Sequence, residues 1–513
     1  MNIFVLFFIA LIPVAWLIIS LGVLKIPGHK ACPIALAITI VLSILVWKMP
    51  VVDSLTAALE GAAMAIWPIM LIIVAAVFTY NLVTYTGGME TIKKMMTSVS
   101  TDQRILVLLL AWGFGGFLEA IAGFGTAVAI PASILAALGF NPVFAAIICL
   151  IANTTPTAFG AIGLPVSTLA QVTGLNVADL SFTVTVQLFI MIVVIPFVLV
   201  MITGKGVKGL KGVFGITLLA GISFALPQVF VAKFLGSELP AVVGSVVSMA
   251  VIIFMAKVFH KDKVAKDAPK IEIKTAIMAW LPFILVFVII IMCSSLFPMI
   301  NGFLAQIKTS IQIYTGPHGK PYTFLWLSTP GTLIIIACYL GGLIQGVKFS
   351  KITRLLGNTI KQMAKSAITI VAIVALAKVM SYSGMIGVIA AMLVMITGSY
   401  YPLIAPLIGA LGTFVTGSDT SANVLFGGLQ VEAARAIGVN PYWLAAANTA
   451  GATAGKMISP QSIAVATAAT GIIGSEGEIL RATMKFCAIY VVVIGLVVYF
   501  GAPLVTGLLG NIS

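Results

Sequence analysis

Apolar runs of roughly 20 residues, each long enough to cross the hydrocarbon of a bilayer as a helix, follow one another along nearly the whole chain. "IFVLFFIALIPVAWLIISLGVL" from Ile3 is the first. The runs predict spans over 3–24, 31–47, 62–85, 212–234, 240–257, 275–298, 323–345 and 366–383, with further apolar arms between them. Short segments of alternating polarity, the signature of a membrane β-barrel, do not occur. Two runs are interrupted by residues that cost energy away from water: "IANTTPTAFGAIGLP" from Ile151 and "AANTAGATAGKMISP" from Ala446.

Composition agrees with the pattern. Charged residues make up 8% of 513 and the mean hydropathy is +1.19, too little polar surface to cover a water-soluble globule. The net charge of +14 does not point to nucleic acid, because Lys and Arg cluster in short loops between apolar runs, as cytoplasmic loops do. Six clusters, at Lys25 and Lys30, Lys93 to Arg104, Lys205 to Lys211, Lys257 to Lys274, Lys348 to Lys365, and Arg481 with Lys485, can all be placed in the cytoplasm if both termini are extracytoplasmic. The first run lacks a basic start and a small-residue cleavage site, so it reads as a retained helix. Five scattered cysteines and three separated histidines indicate neither a disulfide framework nor a metal site. No nucleophile and base constellation appears, so the chain is not expected to be an enzyme, and no cofactor is called for.

A repeat runs through the chain. Ala152-Asn153-Thr154 matches Ala447-Asn448-Thr449, Gly160 then falls on Gly455 and Pro165 on Pro460, all at an offset of 295. "GFNP" from Gly139 matches "GVNP" from Gly438, and "TYTGGM" from Thr84 resembles "SYSGM" from Ser381. The span ending at Tyr85 runs toward basic residues while its counterpart runs away from them, so the two units are inverted. The expected organisation is N-terminal helices 1–54, repeat unit one 55–205, a central scaffold with a cytoplasmic loop 206–350, and inverted unit two 351–513. The expected fold is an all-α polytopic membrane protein with about 12 spanning helices, two re-entrant hairpins and two broken helices. Inverted units can open one central site to either side in turn, which is transporter architecture.

The candidate chemistry lies where the apolar pattern fails. "GFGGFLEAIAGFGTAVAIP" from Gly113 and "GTFVTGSDTSANVLFGG" from Gly412 each hold two short apolar arms meeting at a Gly-rich, polar middle, and predict the hairpins. Pro156 after Asn153, Thr154 and Thr155 predicts a helix break, since proline cannot donate the next hydrogen bond. Gly451 occupies the equivalent place in unit two and predicts a looser helix there. Unwound backbone inside a membrane must be buried in protein or line a wet cavity. Half-helix N-termini suit a carboxylate, so a small organic anion is the expected ligand. Its predicted shell is Gly123, Phe124, Gly125, Thr126, Asn153, Thr154, Thr155, Ser418, Thr420, Ser421, Asn423, Asn448, Thr449, Lys456, Ser459 and Gln461. Glu119 and Asp419 are carboxylates deep in apolar sequence, expected to be functional, paired or protonated, and are the candidates for proton coupling. Sodium is the rival ion, held by Asp419, Thr420, Ser421 and Asn423. Lys456 either contacts substrate or, like Lys378, pairs with Asp419 or Glu119.

At these residues the chain resembles the bacterial L-lactate permease family, through "EAIAGFGTAVAIPASILAALGFNP", "ANTTPTAFGAIGLPV", "TGSDTSANVLFGGLQ" and "SPQSIAVATAA". The resemblance extends from the first helix to the last. It implies proton-coupled uptake of lactate and, in relatives, glycolate, in the bacterial inner membrane. It also implies distant kinship with the ion-transporter superfamily, with hairpins and broken helices sliding against a scaffold. Sodium-coupled or other organic-anion transport, or an anion channel, stands as the alternative. The expected partners are the substrate anion and the lipid bilayer, with a homodimer left open.

Overall fold

The computed structural model describes residues 2–24, 26–123, 125–259, 271–293, 297–317, 319–472 and 475–508. Phe124, Lys25, His260, His318 and most of the polar linker 257–274 lie outside the described residues.

Helix α1 (Ile3–Leu17) continues through a π-helical turn, 18–23, into α2 (Gly28–Leu45) and α3 (Val51–Met64). A second π-helical turn joins α3 to α4 (Leu71–Tyr85), with extended backbone at Trp67 before Pro68. The span expected over 62–85 therefore begins at Val51. The acids Asp53 and Glu60 hid its first half. Glu60 is nevertheless buried, because Lys378 Nζ stands 3.0 Å from its carboxylate and Tyr382 donates a hydrogen bond to it at 2.7 Å.

The chain goes on through α5 (Gly88–Thr97), α6 (Gln103–Val107), a π-helical turn at 108–114, α7 (Gly115–Ile121), α8 (Thr126–Ala137), α9 (Pro142–Ala152), a 3₁₀ turn at 155–159 and α10 (Gly160–Thr173). Then come α11 (Val177–Thr203), α12 (Phe214–Leu235), α13 (Pro240–Phe259), α14 (Ile273–Met292) and α15 (Pro298–Gln306). Where a span was expected over 323–345, the chain forms an antiparallel ribbon, β1 (Lys308–Ile311) with β2 (Tyr322–Leu325), Lys308 opposite Leu325. The 15-residue α16 (Pro330–Ile344) follows. Pro330 starts that helix and β2 serves another purpose: Tyr322 OH donates to the Trp67 carbonyl at 2.5 Å, and Trp67 Nε1 donates to the Leu325 carbonyl at 3.0 Å. The ribbon thus supplies a partner to a carbonyl left free by the α3–α4 break.

The second half contains α17 (Phe349–Tyr382), α18 (Met385–Thr397), α19 (Tyr401–Thr416), α20 (Asp419–Ile437), α21 (Pro441–Lys456), α22 (Pro460–Thr470) and α23 (Glu476–Leu508). Among the described residues 11 helices are long and apolar enough to cross a membrane, or 12 if 142–152 and 155–173, bent by 51°, count as one. This agrees with the sequence expectation.

The repeat reappears as matched chemistry. "GFNP" and "GVNP" fold alike: Gly139 and Gly438 take φ of +91° and +68°, Asn141 and Asn440 cap α9 and α21 by accepting from Phe144 N and Tyr442 N, and proline occupies the first turn. The hairpins α7–α8 and α19–α20 turn at Gly125 and Gly417, with φ of +85° and +72°. Helices α3 and α17 approach so closely that a Cβ on Gly61 would sit 2.5 Å from the Ala375 Cα.

The breaks differ between the units. After Asn153 the chain forms a 3₁₀ turn and then left-handed backbone at Ala161, Ile162 and Gly163, with φ of 45°, 59° and 73°. In unit two α21 runs unbroken through Asn448 and Gly451 and stops only at Met457–Ser459. The cause is packing. Gly451 and Gly455 lie against the carbonyls of Pro406 and Ala410, and Gly409 against that of Asn448, so these glycines let α19 and α21 approach and do not loosen the helix.

Candidate functional site

Four interruptions converge on one cavity of about 340 Å³. Hairpin one contributes Glu119, Gly123 and Gly125, the first break Thr157, Gly160 and Ala161, hairpin two the segment 414–421, and the second break Lys456, Gln461 and Ser462. One wall comes from Ser366, Thr369, Ile370 and Ile373 of α17 and from Leu21, Gly28 and Cys32 around the α1–α2 turn. Gly28, Cys32 and Ser366 of this wall neighbour Lys30 and Lys365 in sequence, both exposed, so the wall reaches toward that basic face.

The local sequence explains the floor. Gly160 has no side chain because a Cβ would come within 2.7 Å of Glu119 Oε1. At the tip of hairpin one, Thr126 Oγ1 donates back to the Gly123 carbonyl at 2.8 Å. At the tip of hairpin two, Ser418 caps α20 by accepting from Ser421 N at 3.3 Å, and Ser459 caps α22 by accepting from Ser462 N at 3.2 Å. Helix α8 follows Gly125 with no side-chain cap; Thr126 N and Val128 N donate to the Gly123 and Gly125 carbonyls, so the Ala127 N–H and the helix dipole are what this end offers an anion.

Charge is unbalanced here. Glu119 and Asp419 are 3% and 2% exposed, and Glu119 Oε2 and both Asp419 carboxylate oxygens have no hydrogen-bond partner among the described residues. Lys456 donates to the Gly417 carbonyl at 3.0 Å. Two acids and one cation therefore share a confined space without closing an ion pair, so the site can take up protons, a cation or an anion.

Of the residues expected from sequence, Glu119, Gly123, Gly125, Ser418, Asp419, Thr420, Ser421, Lys456 and Gln461 line this cavity. Thr126 and Ser459 stand next to it as tip and cap. Asn423, Asn448 and Thr449 are drawn into a buried network instead: Asn448 Nδ2 donates to Asn423 Oδ1 at 3.0 Å, Asn423 donates to Thr449 Oγ1 and, at 3.1 Å, to the Pro165 carbonyl, and Gln430 donates to Asn448 Oδ1 at 3.2 Å. Asn153 and the Thr155 hydroxyl are buried without partners, and Thr154 bonds back to the Ile151 carbonyl at 2.8 Å. Sequence reasoning missed Thr157, Gly160, Ser462 and the α17 wall. The run Ser366, Thr369, Ile370, Ile373 has helical spacing, but only its packing partner tells a cavity wall from a polar stripe on a long helix.

Known proteins share this arrangement of sequence. Residues 6–505 match the family described as L-lactate permease. The chain is 58% identical over 439 residues to an L-lactate permease of Streptococcus iniae, covering 85% of this chain and 93% of that one. It is 37% identical to a glycolate permease of Escherichia coli K12, covering 98% and 96%, and 34% identical to an L-lactate permease of the same strain, covering 98% and 97%. In fold alone it is similar to MtrF of Neisseria gonorrhoeae, with TM-score 0.50 at 12% identity over 91% of this chain and 94% of that one. The motifs at the hairpins and breaks, and a match spanning nearly every helix, place this chain in the L-lactate permease family.

Proposed function

We propose that this chain is a secondary active transporter that takes up L-lactate and related 2-hydroxy monocarboxylates such as glycolate, together with protons, by alternating access across the bacterial cytoplasmic membrane. Family membership supports the substrate class. The observation that carries the mechanism is the pair of buried, unpartnered acids sharing one cavity with Lys456 and the uncapped start of α8.

The substrate carboxylate lies between the α8 N-terminus and Lys456, and its hydroxyl meets the side chains of Ser418, Ser421 and Gln461. Glu119 and Asp419 hold the coupled proton. An anion entering alone would work against an inside-negative potential at about 2.3 kcal/mol per 100 mV, whereas one anion with one proton carries no net charge. The basic face is cytoplasmic, so the cavity seen here faces inward and the termini are extracytoplasmic.

A second reading has its own support. Asp419 with Ser418, Thr420 and Ser421 offers the hard oxygens an alkali cation takes. Adding lactate to vesicles containing the purified protein, with and without sodium, separates the two. Internal acidification without sodium is expected; uptake that needs sodium and moves no protons supports the second reading; absence of saturable lactate and glycolate uptake overturns both.

A further inference from the structure

The left-handed turn at 160–163 has a second neighbour. On one side Gly160 lies against Glu119. On the other, Gly163 lies against the loop joining α12 to α13, where a Cβ would collide with the Ser237 carbonyl and come within 2.9 Å of Glu238 N. Four residues of backbone thus stand between the cavity acid and an acid of a loop that, on the orientation given above, opens to the extracytoplasmic side. The Ser237 hydroxyl is fully buried next to Glu238, and Glu119 Oε2 is buried without a partner among the described residues across the turn. Glu238 itself is partly exposed.

Holding this turn costs energy. Ala161 and Ile162 are not glycine, yet both adopt positive φ, at about 1–2 kcal/mol each. A strained segment wedged between the Glu119 carboxyl group and the Ser237–Glu238 backbone is suited to a part that moves. When the cavity opens outward, the turn has to leave the Ser237 carbonyl, and the space it vacates lies between the Ser237–Glu238 backbone and Glu119.

We propose that Glu238 is the outer proton-donating residue of the transport cycle, handing its proton to Glu119 when the 160–163 turn withdraws from Ser237. The proton leaves the Glu238 carboxyl through Ser237 or a water molecule; Glu238 becomes a carboxylate, Glu119 a carboxylic acid, and external water reloads Glu238. In the inward-facing state the turn separates the two acids, so no proton leaks through. Desolvation pushes the Glu238 carboxyl up to about 7, against hydrogen bonds from Ser237 that favour the carboxylate. The charged groups around it are few: Lys233, whose ammonium lies over the Phe182 and Phe234 rings at 5.5 and 5.8 Å, Asp179 in the first turn of α11, and Glu119 across the turn. Helix α10 and the first turn of α13 contribute none.

The inference rests on proton coupling, and the test distinguishes the two. Proteoliposomes with Glu238→Gln, Glu238→Asp and the unaltered protein are assayed for net lactate uptake at external pH from about 6 to about 8, and for lactate exchange at equal pH on both sides. Exchange needs no change of protonation. In Glu238→Gln net uptake is expected to fall roughly tenfold or more while exchange stays near the unaltered rate, and Glu238→Asp is expected to restore uptake with a shifted pH profile. Unchanged net uptake in Glu238→Gln overturns the relay, and so does an equal loss of uptake and exchange, which marks a packing role. If the unaltered protein takes up lactate without protons, coupling and relay fall together.

Discussion

The Lys456 ammonium donates a hydrogen bond to the carbonyl oxygen of Gly417 at 3.0 Å, joining the C-terminal end of α21 to the tip of hairpin two. The carbonyl is a weak partner for a full charge, so a substrate carboxylate entering the cavity displaces it. Lys456→Met is therefore expected to raise the KM for lactate roughly ten- to hundredfold, the equivalent of about 1.5–3 kcal/mol, with Lys456→Arg retaining part of the affinity. Initial rates of labelled lactate uptake measure both; an unaltered KM in Lys456→Met removes the residue from the binding site.

Gly417 and Gln461 make a more local prediction. The glycine holds φ at +72°, and a Cβ there would collide with Gln461 Oε1. Gly417→Ala is expected to abolish uptake. Adding Gln461→Ala removes the collision but leaves the cost of left-handed backbone, about 1–2 kcal/mol, so the double variant recovers part of the uptake if Gln461 is not itself needed for substrate.

The two matched asparagines separate binding from architecture. Asn448 exchanges hydrogen bonds with Asn423 and Gln430, whereas the Asn153 amide has no partner among the described residues. Asn448→Ala is expected to lower the stability of the purified protein by about 1–3 kcal/mol, leaving buried partners unsatisfied, and Asn153→Ala to change it far less. Thermal unfolding in detergent distinguishes them, and equal losses contradict the assignment.

These asparagines also mark what the sequence made legible. Long apolar runs name the helices because a membrane satisfies backbone polar groups in few ways. Glycine with positive φ, Asn caps and Pro at the first turn name the hairpin tips and helix starts, and Gly125, Gly417, Asn141 and Asn440 stand where that chemistry put them. Identical letters in the two units do not guarantee identical roles. Gly451 takes the place of Pro156, and without a proline the helix runs on as far as Met457, which draws Asn448 and Thr449 out of the cavity and into helix packing. The ribbon at 308–325 was illegible for another reason. Its pairing depends on a carbonyl at Trp67, some 255 residues away, and no local period encodes that.

Glu60 and Lys378 pin α3 to α17 where Gly61 meets Ala375. Removing one member leaves a buried charge, so Glu60→Ala is expected to cost about 3–5 kcal/mol. Glu60→Leu combined with Lys378→Met and Tyr382→Phe, which removes every member of the cluster that bonds to Glu60, is expected to unfold near the unaltered temperature and to keep the KM for lactate, because none of these residues lines the cavity.

The sequence repeat assigns the cavity wall a counterpart. At the offset of 297 set by Tyr85 and Tyr382, Thr369 and Ile370 correspond to Ile72 and Ile73. The first pair lines the open cavity; the second is 2% and 0% exposed, on a helix packed against α10. If the two units exchange conformations, α10 leaves α4, and Ile72 and Ile73 become the wall of an outward-facing cavity. Single cysteines at the four positions test this with a membrane-impermeant thiol reagent, in a background where Cys32, which also lines the cavity, is replaced by serine. Thr369→Cys and Ile370→Cys are expected to react from the cytoplasmic side, and Ile72→Cys and Ile73→Cys from the outside, in proportions that external lactate changes in opposite directions. A pair at 72 and 73 that stays unreactive under every substrate and pH condition, while 369 reacts, means that α4 never lines a path and that the two repeats do not trade places.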